Sequence, residues 1–131
     1  MILITGSSGY VASNLIPKMK SISQVRGIDF TPSKYTDILA GIETVELKNA
    51  LKELACEEVS IINLAAARFD FGATAKQYFY LNVRCHELFL DALSQFNVKK
   101  FIHVSSVAAF DGSQITYSEE LKCDDAYRST K

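Results

Sequence analysis

The stretch ILITGSSGYVASNLI, residues 2–16, joins an apolar run, a glycine-containing loop and a helical pattern. The apolar run predicts a strand over residues 1–5. Apolar side chains at helical spacing predict a helix over residues 9–20; they are Val11, Leu15, Ile16 and Met19. Gly6 and Gly9 lie between the two elements, so the stretch predicts a strand, a tight glycine loop and a helix in immediate succession.

This succession is suited to binding the pyrophosphate of a dinucleotide. Glycine lets the backbone approach the phosphate oxygens, and the free N–H groups at the helix start face the negative charge. Ala12 stands where a third glycine is usual, and its small side chain still allows close packing of helix on strand. The alternative is a glycine turn without function. The candidate cofactor-binding residues of this segment are Gly6, Ser8, Gly9, Tyr10 and Val11.

Asp29 lies 20 residues after Gly9, at the end of the second predicted strand. A carboxylate at this place would accept hydrogen bonds from the adenosine ribose hydroxyls and repel a 2′-phosphate. This placement favours NAD over NADP. The alternative is an ordinary aspartate in a turn at the end of a strand.

The rest of the chain alternates short apolar runs with helical patterns. The apolar runs predict strands over residues 1–5, 24–30, 44–47, 59–65 and 99–106, and the first and last two are continuous enough to be buried on both faces. The helical patterns cover residues 9–20, 48–57 and 72–96. Together they predict an α/β fold of the Rossmann type, with a doubly wound parallel sheet between two helical layers.

Composition limits the class of protein further. The 131 residues suit one domain, and the apolar fraction of 48% is typical of a globular, soluble protein. A net charge of −1 argues against nucleic acid or an anionic membrane surface as a partner. We find no signal sequence and no apolar stretch of roughly 18 residues, so we expect the cytoplasm and no membrane span. Cys56, Cys85 and Cys123 are widely spaced, which predicts reduced thiols and no metal site.

The predicted helix at 72–96 has two neighbouring apolar stripes. The first contains Tyr78, Leu81, Cys85, Phe89, Ala92, Leu93 and Phe96, and the second contains Phe79, Val83, His86 and Leu90. One sheet can cover only the first stripe. The second stripe indicates either a wide amphipathic face or a homodimer formed through this helix.

Five segments occur in the order and approximate spacing of one protein family. They are TGSSGYVA (5–12), INLAAA (62–67), YLNVRCHELFLDAL (80–93), IHVSSVAAFDG (102–112) and YRSTK (127–131). Over nearly its whole length the chain resembles the extended short-chain dehydrogenase/reductase family, the NAD-dependent nucleotide-sugar epimerases and dehydratases.

The resemblance implies catalytic roles for three residues. Tyr127 looks like the general acid/base that exchanges a proton with a sugar hydroxyl while hydride moves to or from NAD. Lys131 is four residues further on, so in a helix both side chains would share one face. Ser106 corresponds to the residue that hydrogen-bonds the reacting oxygen, with Ser105 as the second choice. The aromatic residue of the same segment is Phe110, where relatives usually have tyrosine.

The resemblance also implies further contacts to the cofactor. Leu64, Ala65 and Ala66 belong to NLAAA (63–67), which matches a segment whose small alanines let the cofactor lie against the backbone. Asn82 matches a helix asparagine that binds structure and water near the catalytic lysine, and Asn49 falls where relatives often have an aspartate facing adenine. The predicted cofactor-binding set therefore also includes Asn49, Leu64, Ala65, Ala66, Asn82, Tyr127 and Lys131.

Three functional hypotheses are open. The leading one is epimerase or dehydratase chemistry on a nucleotide-activated sugar, and the alternatives are a reductase of a small carbonyl or steroid-like substrate and a non-catalytic dinucleotide-binding regulator. In this family a C-terminal domain largely selects the substrate. We therefore expect residues 1–131 to be the N-terminal, NAD-binding part of a longer enzyme, truncated after the fifth strand and the start of the next helix, and inactive alone.

Overall fold

The computed structural model describes residues 1–54, 58–67 and 74–106. In these ranges five parallel strands form one sheet in the order β3-β2-β1-β4-β5. The strands are β1 (Ile2–Thr5), β2 (Val25–Asp29), β3 (Ile38–Leu39), β4 (Val59–Asn63) and β5 (Val98–His103). The helical elements are α1 (Tyr10–Lys20), α2 (Val45–Glu53), α3 (Ala75–Phe79), a π turn (Tyr80–Arg84) and α4 (Cys85–Leu93).

The strand order confirms the predicted Rossmann-type doubly wound sheet. The chain adds β2 and β3 on one side of β1 and then returns to add β4 and β5 on the other side. Right-handed crossovers in opposite directions place helices on both faces of such a sheet. The carboxyl ends of β1 and β4 meet where the direction changes, which is where open α/β sheets bind ligands.

The packing of α1 on β1 and β2 follows from the sequence pattern. Ala12 and Ile16 are four residues apart, and both are buried together with Ile4 of β1 and Val25 of β2. Full burial of a side chain such as Ile16 contributes about 1.5–3 kcal/mol to the stability of the fold. This packing fixes the start of α1 over the end of β1. Val11, predicted for the same apolar face, is exposed instead.

The described residues belong to two compact units. The first is Met1–Ala65 with Leu88–Val104, and it contains the whole sheet, α1 and α2. Of the second unit the structure describes residues 66, 67, 74–87, 105 and 106, which include α3 and the π turn.

The predicted strand at residues 44–47 is wrong, because these residues begin α2. Thr44 caps the helix, and its hydroxyl accepts a hydrogen bond from the N–H of Leu47 at 3.3 Å. Leu47 and Leu51 then form the buried face of the helix. The third strand is instead the short β3, which pairs with β2 through Ile28 and Asp29.

The prediction that the last strand is buried on both faces is also wrong. Ile102 is 45% exposed, and Lys99 and Lys100 are exposed. Within the described residues β5 pairs with β4 alone and stands at the edge of the sheet, so no further strand covers its outer edge.

The predicted helix at 72–96 is not one regular α-helix in its described part. The π turn Tyr80–Arg84 separates α3 from α4. A π turn contains more residues than an α turn, and it therefore rotates the side chains that follow it. Within this turn Leu81, predicted for the buried stripe, is exposed, and Asn82 is buried.

Candidate functional site

The glycine loop between β1 and α1 is shaped by Gly6. Its φ is 69°, in the left-handed region, and a Cβ at this position would lie 2.9 Å from the backbone of both Leu64 and Ala65. Only glycine meets both conditions without strain. The N–H of Gly9 then donates to the carbonyl of Gly6 at 3.0 Å and closes the turn. The loop therefore lies directly against the carboxyl end of β4.

The start of α1 is free to attract an anion. Gly9 occupies the N-cap position and has no side chain to cap the helix, and the first turn contains no acidic residue. Helix geometry leaves the N–H groups of the first turn, including those of Tyr10 and Val11, without intrahelical acceptors. These groups and the helix dipole favour a phosphate at this end.

Asp29 at the end of β2 is held in place by three hydrogen bonds. Its Oδ2 accepts from the backbone N–H of Ser8 at 2.9 Å and from the Ser8 hydroxyl at 2.8 Å. Its Oδ1 accepts from the N–H of Thr31 at 2.9 Å. An ionised carboxylate can accept about four hydrogen bonds, so Oδ1 retains a place for one ribose hydroxyl. The bonds through Ser8 join the glycine loop directly to the carboxylate.

The segment between β2 and β3 folds back over β2. A Cβ at Gly27 would overlap the carbonyl oxygen of Tyr35. Gly27 also exchanges two hydrogen bonds with Asp37, from its N–H to Oδ2 at 2.8 Å and from the Asp37 N–H to its carbonyl at 2.9 Å. The hydroxyls of Ser7 and Thr36 lie 3.0 Å apart and tie this segment to the glycine loop. Sequence reasoning missed these contacts, although a lone glycine inside a predicted strand is a known sign of close backbone approach.

The carboxyl end of β4 is joined to β1 by Thr5. The Thr5 hydroxyl oxygen accepts hydrogen bonds from the N–H groups of Leu64 and Ala65, both at 3.1 Å. It donates its own hydrogen to Oδ1 of Asn63. The backbone that the sequence predicted to lie against a cofactor is thus fixed on both sides, by Thr5 and by Gly6.

In the second unit, Asn82 binds the backbone that follows β4. Its Oδ1 accepts from the N–H of Ala67 at 2.7 Å, and its Nδ2 donates to the carbonyl of Ala67 at 3.1 Å. Asn82 is buried, and its position in the π turn directs it inward. It therefore fixes the segment after Ala66 by contacts with the protein itself.

Some of the remaining predicted site residues lie among the described residues, and the others lie outside them. Ser106 is half-buried and Ser105 is exposed. Asn49 is an exposed residue of α2, about 6 Å along the helix from its first residue. The family resemblance alone implied the adenine contact of Asn49, and that contact stays a prediction. Tyr127, Lys131 and Phe110 lie outside the described residues.

The structure thus brings part of the predicted set together within the first unit. Contacts join Gly6 to Leu64 and Ala65, and Ser8 to Asp29. This cradle, with a left-handed glycine, an uncapped helix start and a fixed carboxylate, fits the pyrophosphate and ribose of a dinucleotide. Among residues 1–54, 58–67 and 74–106, no group of three potential ligands is arranged to hold a metal ion. None of the helices in these ranges combines the length and the apolarity needed to cross a bilayer.

The fold and this loop define a dinucleotide-binding domain of the Rossmann class. A model of the NAD dependent epimerase/dehydratase family matches residues 2–131, and the chain belongs to this family. The predicted relationship and the predicted cofactor, NAD, are confirmed at the level of the family. No protein of curated function matches the chain.

Solved structures share the fold. A short-chain dehydrogenase/reductase superfamily protein from Agrobacterium tumefaciens with bound NAD is 25% identical, with a TM-score of 0.82 over 100% of this chain and 42% of its own. The NAD complex of UDP-glucuronic acid 4-epimerase from Bacillus cereus is 19% identical, with a TM-score of 0.76 over 98% of this chain and 48% of its own. The ADP-L-glycero-D-manno-heptose-6-epimerase of Helicobacter pylori is 19% identical, with a TM-score of 0.79 over 98% of this chain and 47% of its own. The chain therefore spans less than half the length of each of these structures.

Proposed function

We propose that residues 1–131 form the NAD-binding domain of an oxidoreductase that performs epimerase or dehydratase chemistry on a nucleotide-activated sugar. The observation that supports this best is the cradle formed by Gly6, the start of α1 and Asp29. Family membership adds the NAD-dependent chemistry. The substrate class is suggested by the names of similar structures, such as the epimerase of UDP-glucuronic acid.

We assign each part of the cofactor to particular groups of the cradle. The backbone of Gly6 and Gly9 and the first turn of α1 would bind the pyrophosphate. Asp29 would accept a ribose hydroxyl through Oδ1, and its charge would repel the extra phosphate of NADP. When bound, NAD supplies the acceptor and donor of a hydride. The segment Leu64–Ala66 includes two small alanine side chains along which the cofactor would lie.

The acid/base chemistry is assigned to Tyr127, with Lys131 and Ser106. A free phenol has a pKa near 10, and lowering that pKa to about 7 requires roughly 4 kcal/mol of preferential stabilisation of the phenolate. The ammonium group of Lys131, four residues further along the chain, would supply part of it. Ser106 would donate a hydrogen bond to the substrate oxygen and hold it for proton transfer to Tyr127.

We place substrate binding largely outside residues 1–131, since the similar structures are more than twice as long as the part that matches. Residues 1–131 alone are then expected to bind NAD without turning over. A homodimer through the 72–96 segment is part of the proposal. It is supported by Leu90 of the second stripe, which is 51% exposed.

Exchange of Tyr127 for phenylalanine tests the catalytic assignment. In the full-length protein, Tyr127→Phe should remove most turnover of a nucleotide sugar, because the proton of the hydroxyl would have no acceptor. NAD affinity, measured by calorimetric titration, should remain nearly the same. A variant that keeps wild-type turnover would refute the role of Tyr127.

A further inference from the structure

Three neighbouring strands end in polar residues that form one row across the sheet. Thr5, Asn63 and His103 are the last residues of β1, β4 and β5, and the strand register pairs Thr5 with Asn63 and Asn63 with His103. The row immediately below them consists of Ile4, Ile62 and Ile102. The polar row therefore lies where the apolar part of the sheet gives way to the ligand-binding edge.

The hydrogen bonds of Thr5 determine how the side-chain amide of Asn63 is oriented. The Thr5 oxygen already accepts two N–H groups, from Leu64 and Ala65, which occupy both of its lone pairs. The Thr5 hydroxyl can therefore bond to Asn63 only by donating its hydrogen. Consequently Oδ1 of the amide, and not Nδ2, must face Thr5, in agreement with the bond between them.

The orientation of Asn63 in turn fixes the protonation of His103. With Oδ1 towards Thr5, the Nδ2 of Asn63 faces Nδ1 of His103 at 3.1 Å. An amide NH₂ only donates, so Nδ1 must accept and cannot bear a proton. The imidazole is therefore neutral, with its proton on Nε2. If His103 were an imidazolium, its Nδ1–H and the Asn63 NH₂ would be two donors facing each other.

Asn63 holds the end of β5 through its backbone as well. The N–H of Val104 donates to the Asn63 carbonyl at 3.1 Å. Asn63 is 1% exposed, so loss of its partner would leave a buried amide donor unsatisfied. Ser106 follows His103 by three residues.

We propose that His103 is a positioning residue: as a neutral imidazole it accepts the Asn63 amide through Nδ1 and thereby fixes the end of β5 that leads to Ser106. The part of this proposal that concerns Ser106 rests on the proposed function. His103 acts through Asn63 and the strand, and we assign it no contact with the substrate.

Two substitutions of the exposed His103 distinguish the effect of its hydrogen bond to Asn63 from the effect of the imidazole ring itself. His103→Gln retains an oxygen that can accept from Asn63, whereas His103→Leu has no acceptor. We expect the amide hydrogen of Val104 to exchange about five times faster in His103→Leu than in the wild type. His103→Gln should restore most of the protection. Equal exchange rates in the two variants would overturn the proposal.

The tautomer can be observed directly. Nitrogen-15 NMR of the imidazole rings distinguishes a protonated from an unprotonated Nδ1, and the chain has only two histidines, so His103→Gln assigns the signals. We expect the His103 proton on Nε2 at neutral pH. A proton on Nδ1 would overturn the proposal. Asn63→Asp should shift the proton to Nδ1, because a carboxylate can only accept.

Turnover in the full-length protein tests the link to Ser106. His103→Leu should lower kcat about fivefold with the KM for NAD unchanged, and His103→Gln should restore kcat. A fall of kcat by the same factor in both variants would overturn the positioning role. If the wild type has no epimerase or dehydratase activity, the proposed function fails, and the exchange and NMR results still decide the role of His103.

Discussion

Gly6 combines a left-handed backbone with close contact to the neighbouring strand. Its φ of 69° is costly for any residue with a Cβ, and that atom would lie 2.9 Å from the backbone of Leu64 and Ala65. Backbone neighbours cannot move aside as a flexible side chain can. Both the fold at this edge and the proposed phosphate site therefore depend on this residue.

We expect Gly6→Ala to lower the free energy of unfolding by about 2–4 kcal/mol and to weaken NAD binding. Urea denaturation followed by circular dichroism measures the first effect, and calorimetry the second. Gly41→Ala is the matched control, because its φ is not left-handed and its new Cβ would mainly meet the movable carboxylate of Glu43. Equal destabilisation by the two substitutions would contradict the strain that we assign to Gly6.

The positions of Gly6 and Asp29 were predictable from sequence, and most of their contacts were not. A glycine loop between strand and helix has one geometry, and a carboxylate about 20 residues later falls at the end of the next strand. By contrast, the bonds from Ser8 to Asp29 and from Asn63 to His103 join residues 21 and 40 positions apart. Such contacts depend on strand register and side-chain rotamers, which a hydrophobic pattern does not specify.

The helix α2 shows how local capping can outweigh an apolar pattern. TVEL at 44–47 alternates in a way that predicts a strand, and Thr and Val favour strands. In the structure the Thr44 hydroxyl caps the helix, and Leu47 and Leu51 place one apolar face inward. The actual third strand has two residues, too few to give a periodic signal.

Thr44→Ala is expected to destabilise the protein by about 1 kcal/mol, because the N–H of Leu47 loses its acceptor. Thr44→Ser keeps the hydroxyl and should retain most of the stability. Thermal unfolding of the two variants and the wild type gives the comparison. If serine destabilised as much as alanine, the cap would not be the source of the effect.

The π turn explains why the second unit departs from the predicted helix. At about 100° per residue, Leu81 and Asn82 lie about 60° to one side and about 40° to the other side of Tyr78, so helical spacing alone does not decide which of them is buried. In the π turn Asn82 is buried and binds both backbone groups of Ala67. A single polar residue within an apolar pattern gave no sign of this local change.

For the whole molecule, the doubly wound parallel sheet was predictable from the alternation of strands and helices. Parallel connections and their handedness leave few arrangements for five strands, and the observed order is one of them. The exposure of β5 could not be derived in this way, because a continuous apolar run does not show whether a strand has one neighbour or two.

The proposed homodimer places the exposed Leu90 side chain at an interface. Leu90→Asp should make the protein monomeric in analytical ultracentrifugation, since burial of an unpaired carboxylate would be costly. Val45→Asp is the control, because Val45 is similarly exposed and belongs to α2. A wild-type protein that is monomeric at high concentration would contradict the dimer.

We propose that the cradle of Gly6, the start of α1 and Asp29 binds NAD. Calorimetric titration of NAD and NADP into the wild type and into Asp29→Asn measures this binding. The wild type should bind NAD about tenfold or more tightly than NADP, because the Asp29 carboxylate accepts a ribose hydroxyl and repels a phosphate. Asp29→Asn should reduce that preference. Absence of NAD binding, or equal affinity of the wild type for NADP, would contradict the claim.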